Sequence, residues 1–176
     1  MNLYFRLIWQ MLFARFRPVC PVLGPCRTPY QVYPNDLDIL RHVNNGRYFT
    51  LLDLARTDLM IRSGLADKVK QAGWFPVVAM ETIHFRKALT VWQRFEVQTD
   101  VLGWDEKAVF LQHRIERKGE IIAVAVVAAR FLRRTGGSVL TSDLMALGGI
   151  THPSPPLPDW IIAWVQGQNQ TQNQTQ

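Results

Sequence analysis

"PNDLDILRHVNNGRYFTLLDLAR" (residues 34–56) decides the fold, because a polar loop gives way within it to a helix. Two aspartates, a histidine and two asparagines are crowded into residues 36–45. Asn44 or Asn45 suits an N-cap, since an amide oxygen can accept from the orphan N–H groups of a first helical turn. Beyond it, Tyr48, Leu51, Leu52, Ala55 and Leu59 recur at the three- and four-residue spacing of one helix face. The spacing predicts a helix over 46–62, stopped by Gly64.

Outward from this helix the pattern changes. "YQVY" (30–33) reads as a short strand before the loop, and 65–72 as a second short helical segment. Residues 77–87, 94–104, 108–117 and 121–134 are rich in Val, Ile and Phe and read as strands. In 94–101, Phe95, Val97, Thr99 and Val101 alternate with Arg94, Glu96, Gln98 and Asp100, which gives one face to a core. The run 121–129 is apolar on both faces, as in a strand covered on both sides. "GWDEK" and "RKGE" supply turns between neighbours. The order is strand, helix, four strands, an α+β class in which one long helix covers a five-stranded, mostly antiparallel sheet.

The ends are different in character. Residues 1–17 are apolar but broken by Arg6 and Gln10, short of the roughly 20 residues that span a bilayer. Asn2, Arg6, Gln10 and Arg17 fall near one stripe of a helical wheel, beside a broad face of Phe5, Ile8, Trp9, Leu12 and Phe16. Such a segment fits peripheral contact with a membrane surface, or packing on the domain or another subunit. Residues 18–29, with four prolines and a glycine, read as a linker. The domain is expected over 30–150 and an extension over 151–176. In that extension 158–166 suits a terminal helix, and "GQNQTQNQTQ" is expected to be disordered.

Charge and composition exclude several classes. Residues 1–29 hold four arginines and no acid, which leaves 16 basic against 14 acidic residues for the remainder. A nearly neutral domain is not a nucleic-acid reader. Cys20 and Cys26 alone cannot make a zinc site, which takes about four ligands, and they read as free thiols of a cytoplasmic protein. His42, His84, His113 and His152 lack metal-ligand spacing, and no serine lies in a G-x-S-x-G context. No metal and no organic cofactor is expected.

The polar crowd before the helix has two readings. It can cap the helix and fix the loop. It can also be a site for acyl transfer, since the positive end of a helix polarises a carbonyl and a nearby carboxylate attacks it or activates water. At this point the residues resemble a known family. "DLDILRHVNN" followed by "RYFTLLDLAR", the stretch "LGWDEKAVFLQHR" and the element order are similar to the hotdog-fold acyl-CoA thioesterases of the 4-hydroxybenzoyl-CoA thioesterase group, over about residues 28–150.

The resemblance implies a hotdog fold, with the sheet wrapped around the helix, two sheets joined edge to edge in a dimer, and active sites at the interface. Carried over by position, Asp38 matches the catalytic aspartate, as nucleophile or general base. Asn45 matches the asparagine at the helix start, and backbone N–H groups from Asn45 through Gly46 to Arg47 would bind the thioester oxygen. His42 matches the motif histidine, which shapes the loop more than it acts as a base. Arg86 and Lys87 are candidates for the phosphates of CoA. Asp53 and Arg56 read as a structural pair on the helix. Arg41 stands where many members have Gly, and Ala88 where many have Pro. The expected function is hydrolysis of a fatty or aromatic acyl-CoA to free acid and CoA, by a homodimer or homotetramer. The alternative is a non-catalytic acyl-CoA or lipid-binding protein at a membrane surface.

Overall fold

The computed structural model describes residues 3–174. Helix α1 (Leu3–Ala14) leads through a Pro-rich segment into strand β1 (Cys26–Gln31). After one 3-10 turn at Pro34–Asp36 comes α2 (Asn45–Arg62), then α3 (Leu65–Gln71). Strands β2 (Trp74–Phe85), β3 (Arg94–Trp104), β4 (Val109–Arg117) and β5 (Glu120–Arg133) follow, with α4 (Thr141–Gly148) and α5 (Asp159–Gln174) at the end. The five strands form one antiparallel sheet in the order β1-β3-β4-β5-β2.

The alternating residues account for the core. Tyr48, Leu51, Leu52 and Ala55 of α2 are buried against Phe95 and Val97 of β3, Ile115 of β4 and Ala123 and Ala125 of β5, while Leu59, one turn on, is buried against Val109 and Leu111 of β4 and Ala129 and Phe131 of β5. The opposite face of the sheet is covered in part by α5, whose Ile161 packs on Phe110, Val126 and Ala128. That is why β5 is apolar on both faces. The β4–β5 hairpin turns at Lys118 and Gly119, both at positive φ, which matches the right-handed twist of the strands it joins.

Three expectations are corrected. β1 begins at Cys26, inside the expected linker, and carries Pro29. It is an edge strand hydrogen-bonded only to β3, so a missing N–H on its outer side costs no ladder bond. β2 begins at Trp74 and carries Pro76 for the same reason, as the other edge. The Gln/Asn-rich tail, expected to be disordered, is helical through Gln174, since Gln tolerates a solvated helix and no proline interrupts the run.

Helix α1 lies on α2 with its polar side chains inward. Arg6 is buried in an ion pair with Asp36, Gln10 donates to the Leu54 carbonyl, and Ala14 is buried behind them. Cys20 and Cys26 are free and buried, with their Sγ atoms 3.0 Å apart.

Candidate active site at the start of the long helix

The loop before α2 is built around Asp36, whose side chain is 1% exposed. Its carboxylate accepts from both terminal nitrogens of Arg6 at 3.0 and 2.7 Å and from the Tyr33 N–H at 2.8 Å, and Arg47 Nε lies 3.5 Å away. Its carbonyl accepts the N–H of Asn44 at 2.8 Å. Asp36 therefore ties α1, the 3-10 turn and the start of α2 to one point.

Asp38 stands two residues on, partly exposed. Its Oδ1 accepts from the N–H groups of Leu40 at 2.9 Å and His42 at 3.3 Å, while its own N–H donates to the His42 carbonyl. Arg41 closes this tight loop at φ 60°, a left-handed conformation that favours glycine. His42 shapes the loop through its backbone, which also bridges to Thr90, and the Val43 N–H donates to the Leu89 carbonyl. The segment after β2, with Arg86 and Lys87, is thereby held at the same end of the sheet. Lys87 pairs with Glu120 at 2.9 Å, with both side chains more than half exposed. Arg86 is exposed and makes no ion pair among the described residues.

At the helix start the cap is Asn44, whose Oδ1 accepts from Gly46 N–H at 2.9 Å and whose carbonyl accepts from Arg47 N–H. Two of the three N–H groups expected to meet a thioester oxygen are thus used by the cap. The third, on Asn45, is the first of the helix, and its residue is exposed. A side chain added at Gly46 would come within 3.3 Å of the capping oxygen. Arg47 is a clamp, donating to the Asn35 carbonyl at 3.2 Å beside Asp36, so the structure gives its guanidinium a place in the loop frame.

At the other end of α2 lies an apolar cavity of about 290 Å³. Leu59 and Met60 of α2, Val101 of β3, Phe131 of β5 and Leu144 and Met145 of α4 line it, and Pro76–Val78 of the β2 edge form its side wall. Its polar rim is Asp53, Arg56 and Thr57. Arg56 pairs with Asp53, and it donates to His113 Nε2 at 3.3 Å. That leaves the proton of the neutral ring on Nδ1, 3.0 Å from Thr99 Oγ1. Burial, with the Arg56 charge beside it, holds the His113 pKa well below its ordinary value.

Sequence reasoning missed this cavity and the buried ion pairs. Asp58, fully buried on the apolar side of α2, meets Arg17 at 3.2 Å, Arg62 at 3.0 Å and the Thr28 hydroxyl at 2.7 Å. The available signal was an aspartate in helical register with Leu51, Leu54 and Ala55, four residues before an arginine.

Comparison with known proteins agrees with this architecture. The family model of the thioesterase-like superfamily matches residues 32–165. Protein THEM6 of Xenopus laevis is 32% identical over 135 residues, covering 77% of this chain and 64% of that protein. The chain thus spans just under two thirds of that relative's length. The crystal structure of the probable thioesterase YbaW from Escherichia coli superposes with a TM-score of 0.65 at 22% identity, covering 69% of this chain and 94% of that one. SAV2348 from Staphylococcus aureus, solved in complex with CoA, gives 0.62 at 15% identity, covering 77% and 90%. The fold is the hotdog fold, with the long helix packed against a five-stranded antiparallel sheet. With the family match extending from the end of β1 to α5, the chain belongs to the thioesterase-like superfamily.

Proposed function

We propose that the chain is an acyl-CoA thioesterase that hydrolyses a fatty or aromatic acyl-CoA to the free acid and CoA. The observation that carries this reading is Asp38, held by two backbone N–H groups through one carboxylate oxygen at the entrance of α2. The thioester carbonyl takes the Asn45 N–H, where the helix dipole favours the developing oxyanion. Asp38 accepts a proton from water, the hydroxide oxygen bonds to the acyl carbon, and the C–S bond breaks. The CoA sulfur leaves as thiolate and takes the proton that Asp38 accepted, which returns Asp38 to its carboxylate form. CoA-bound SAV2348 supports the choice of thiol carrier. Arg86 and Lys87 then meet the CoA phosphates, Lys87 leaving its solvent-exposed pair with Glu120, a kind of pair that contributes little to stability.

Within one protomer the entrance and the cavity are separated. At 1.5 Å per residue, Asn45 lies about 12 Å from Asp53 on the cavity rim and about 22 Å from Met60 inside it. α2 runs antiparallel to β2: Tyr48 packs on Phe85 at 5.0 Å, whereas Met60 and Val77 share the cavity. β2 is an open edge with Phe75 and Val78 exposed. Two-fold antiparallel pairing of β2 with a second copy brings the partner's helix entrance to the cavity mouth. The dimer then joins one protomer's Asp38 to the other's acyl slot, whose volume is near the lower end of the roughly 300–1,000 Å³ of ligand pockets.

The test is thiol release across a panel of acyl-CoAs. Asp38→Asn keeps the loop geometry and lowers kcat by about 100-fold or more, as for loss of an acid–base group. Unchanged turnover in folded Asp38→Asn protein refutes the mechanism. Acyl-CoA binding without turnover in the wild type assigns the protein to the non-catalytic alternative.

A further inference from the structure

We infer that α1 is a membrane-docking element that lies in the plane of an anionic bilayer. An amphipathic helix on a soluble domain turns its apolar face to the core. Here the order is inverted. Arg6, Gln10 and Ala14 face the domain and are at most 8% exposed. Phe5, Ile8, Trp9, Leu12, Phe13 and Phe16 face outward, 40–85% exposed.

The inward face is fixed by specific bonds. Arg6 pairs with Asp36, Gln10 donates to the Leu54 carbonyl, and the Tyr30 hydroxyl donates to Gln10 Oε1 at 3.2 Å. The helix cannot roll to bury its apolar side without breaking a buried ion pair. The outward side chains form one patch, with Trp9 and Phe13 ring centres 4.2 Å apart and Phe16 beside them. The surface continues past Tyr33, on which Arg6 stacks, to Trp92, itself 57% exposed. A contiguous apolar patch of this kind marks an interaction surface.

Charge selects the occupant. Residues 1–29 contain no acid, and the acids that meet Arg6 and Arg17, Asp36 and Asp58, are buried in those pairs. Arg15 is exposed and makes no ion pair among the described residues, and Arg94 lines the groove beside Trp9 with Arg6 and Arg17. A second copy would set arginine against arginine, whereas anionic headgroups complement the face. At 12 residues α1 is about 18 Å long. No described helix is long and apolar enough to cross a membrane. Trp and Phe beside arginine suit the boundary between headgroups and acyl chains.

Flotation of the full chain with phosphatidylcholine vesicles, with and without phosphatidylglycerol, tests this. The wild type floats with anionic vesicles and is released by salt. Trp9→Gln/Leu12→Gln, at exposed positions, retains the wild-type melting temperature and loses about 10-fold or more of its partitioning. Arg15→Gln loses about 5-fold on anionic vesicles only. A wild type that ignores both vesicles, or a double variant that floats as well as the wild type, overturns the inference. So does self-association of the wild type that the double variant abolishes without vesicle binding, which gives the face to a second copy. Thiol release is a separate readout, so neither result decides the other.

Discussion

Asp36→Asn removes one charge from the point that anchors the Asp38 loop. Asparagine preserves the shape, and its oxygen can still accept from Tyr33 N–H. Its amide nitrogen, however, faces Arg6, whose side chain is only 8% exposed. Breaking one side of a buried pair costs about 3–5 kcal/mol, because the remaining charge is left without its counter-charge. Two features hold the loss to about 3 kcal/mol, the lower end of that range. Arg47 is 28% exposed and can turn to solvent, and α1 can lift and carry Arg6 into water. At about 2–4 °C per kcal/mol for a chain of this size, the melting temperature falls by about 6–12 °C. The assay is thermal melting with limited proteolysis, and cleavage within residues 1–25 should increase first. Arg6→Met combined with Asp36→Asn should be less harmful than the sum of the two, with a coupling of about 2 kcal/mol. A fall under about 3 °C, or additive behaviour, would refute the claim that this pair anchors the loop.

Further expectations concern single positions. Arg41→Gly relieves the left-handed backbone at φ 60° and should stabilise the protein by about 1 kcal/mol, read by urea unfolding with an unchanged m-value. His113 is held neutral, so the unfolded chain binds an extra proton once the pH falls below the ordinary histidine value. Stability is therefore complete at neutral pH and declines on acidification by at most about 1.4 kcal/mol per pH unit from this residue. Urea midpoints at pH 7.5 and 5 should show this contribution shrink in His113→Asn. Val101→Phe narrows the apolar cavity and should raise KM for longer acyl chains more than for short ones, in the acyl-CoA panel. Val78→Lys puts a charge on the exposed β2 edge and should shift the particle to monomer with loss of kcat, by light scattering beside thiol release.

Much of the fold was legible because it rests on periodicity. The α2 face from Tyr48 to Leu59 and the alternating residues of β3 each reported one buried side, and the doubly apolar run of β5 reported cover on both. Strand starts were harder to read. Pro29 and Pro76 argue against a strand unless it is known to be an edge, and edge status depends on topology. The loop of the candidate site was legible as a cluster of residue types, but the division of labour within it was not. Asn44 and Asn45 are identical side chains one position apart, and only the backbone decides which one caps. Asp36 and Asp38 likewise look alike in sequence. The neighbour that separates them, Arg6, lies 30 residues away in a segment that reads as an appendage.

That long-range pair gives α1 two tasks that depend on each other. The helix can show its aromatic side to the surroundings only because Arg6 and Gln10 hold its polar side against the domain. The loop carrying Asp38 is fixed, in turn, because Asp36 has Arg6 as its counter-charge on one side and Arg47 on the other. Anything that lifts α1 therefore withdraws a charge from the frame of the loop, two residues from the carboxylate assigned to the chemistry. A docked bilayer acts in the opposite sense, since burying Trp9 and Leu12 in lipid adds no strain to the inward contacts and restrains the helix from lifting. The apolar face and the Asp38 loop are thus parts of one mechanical unit, joined through the Arg6 guanidinium.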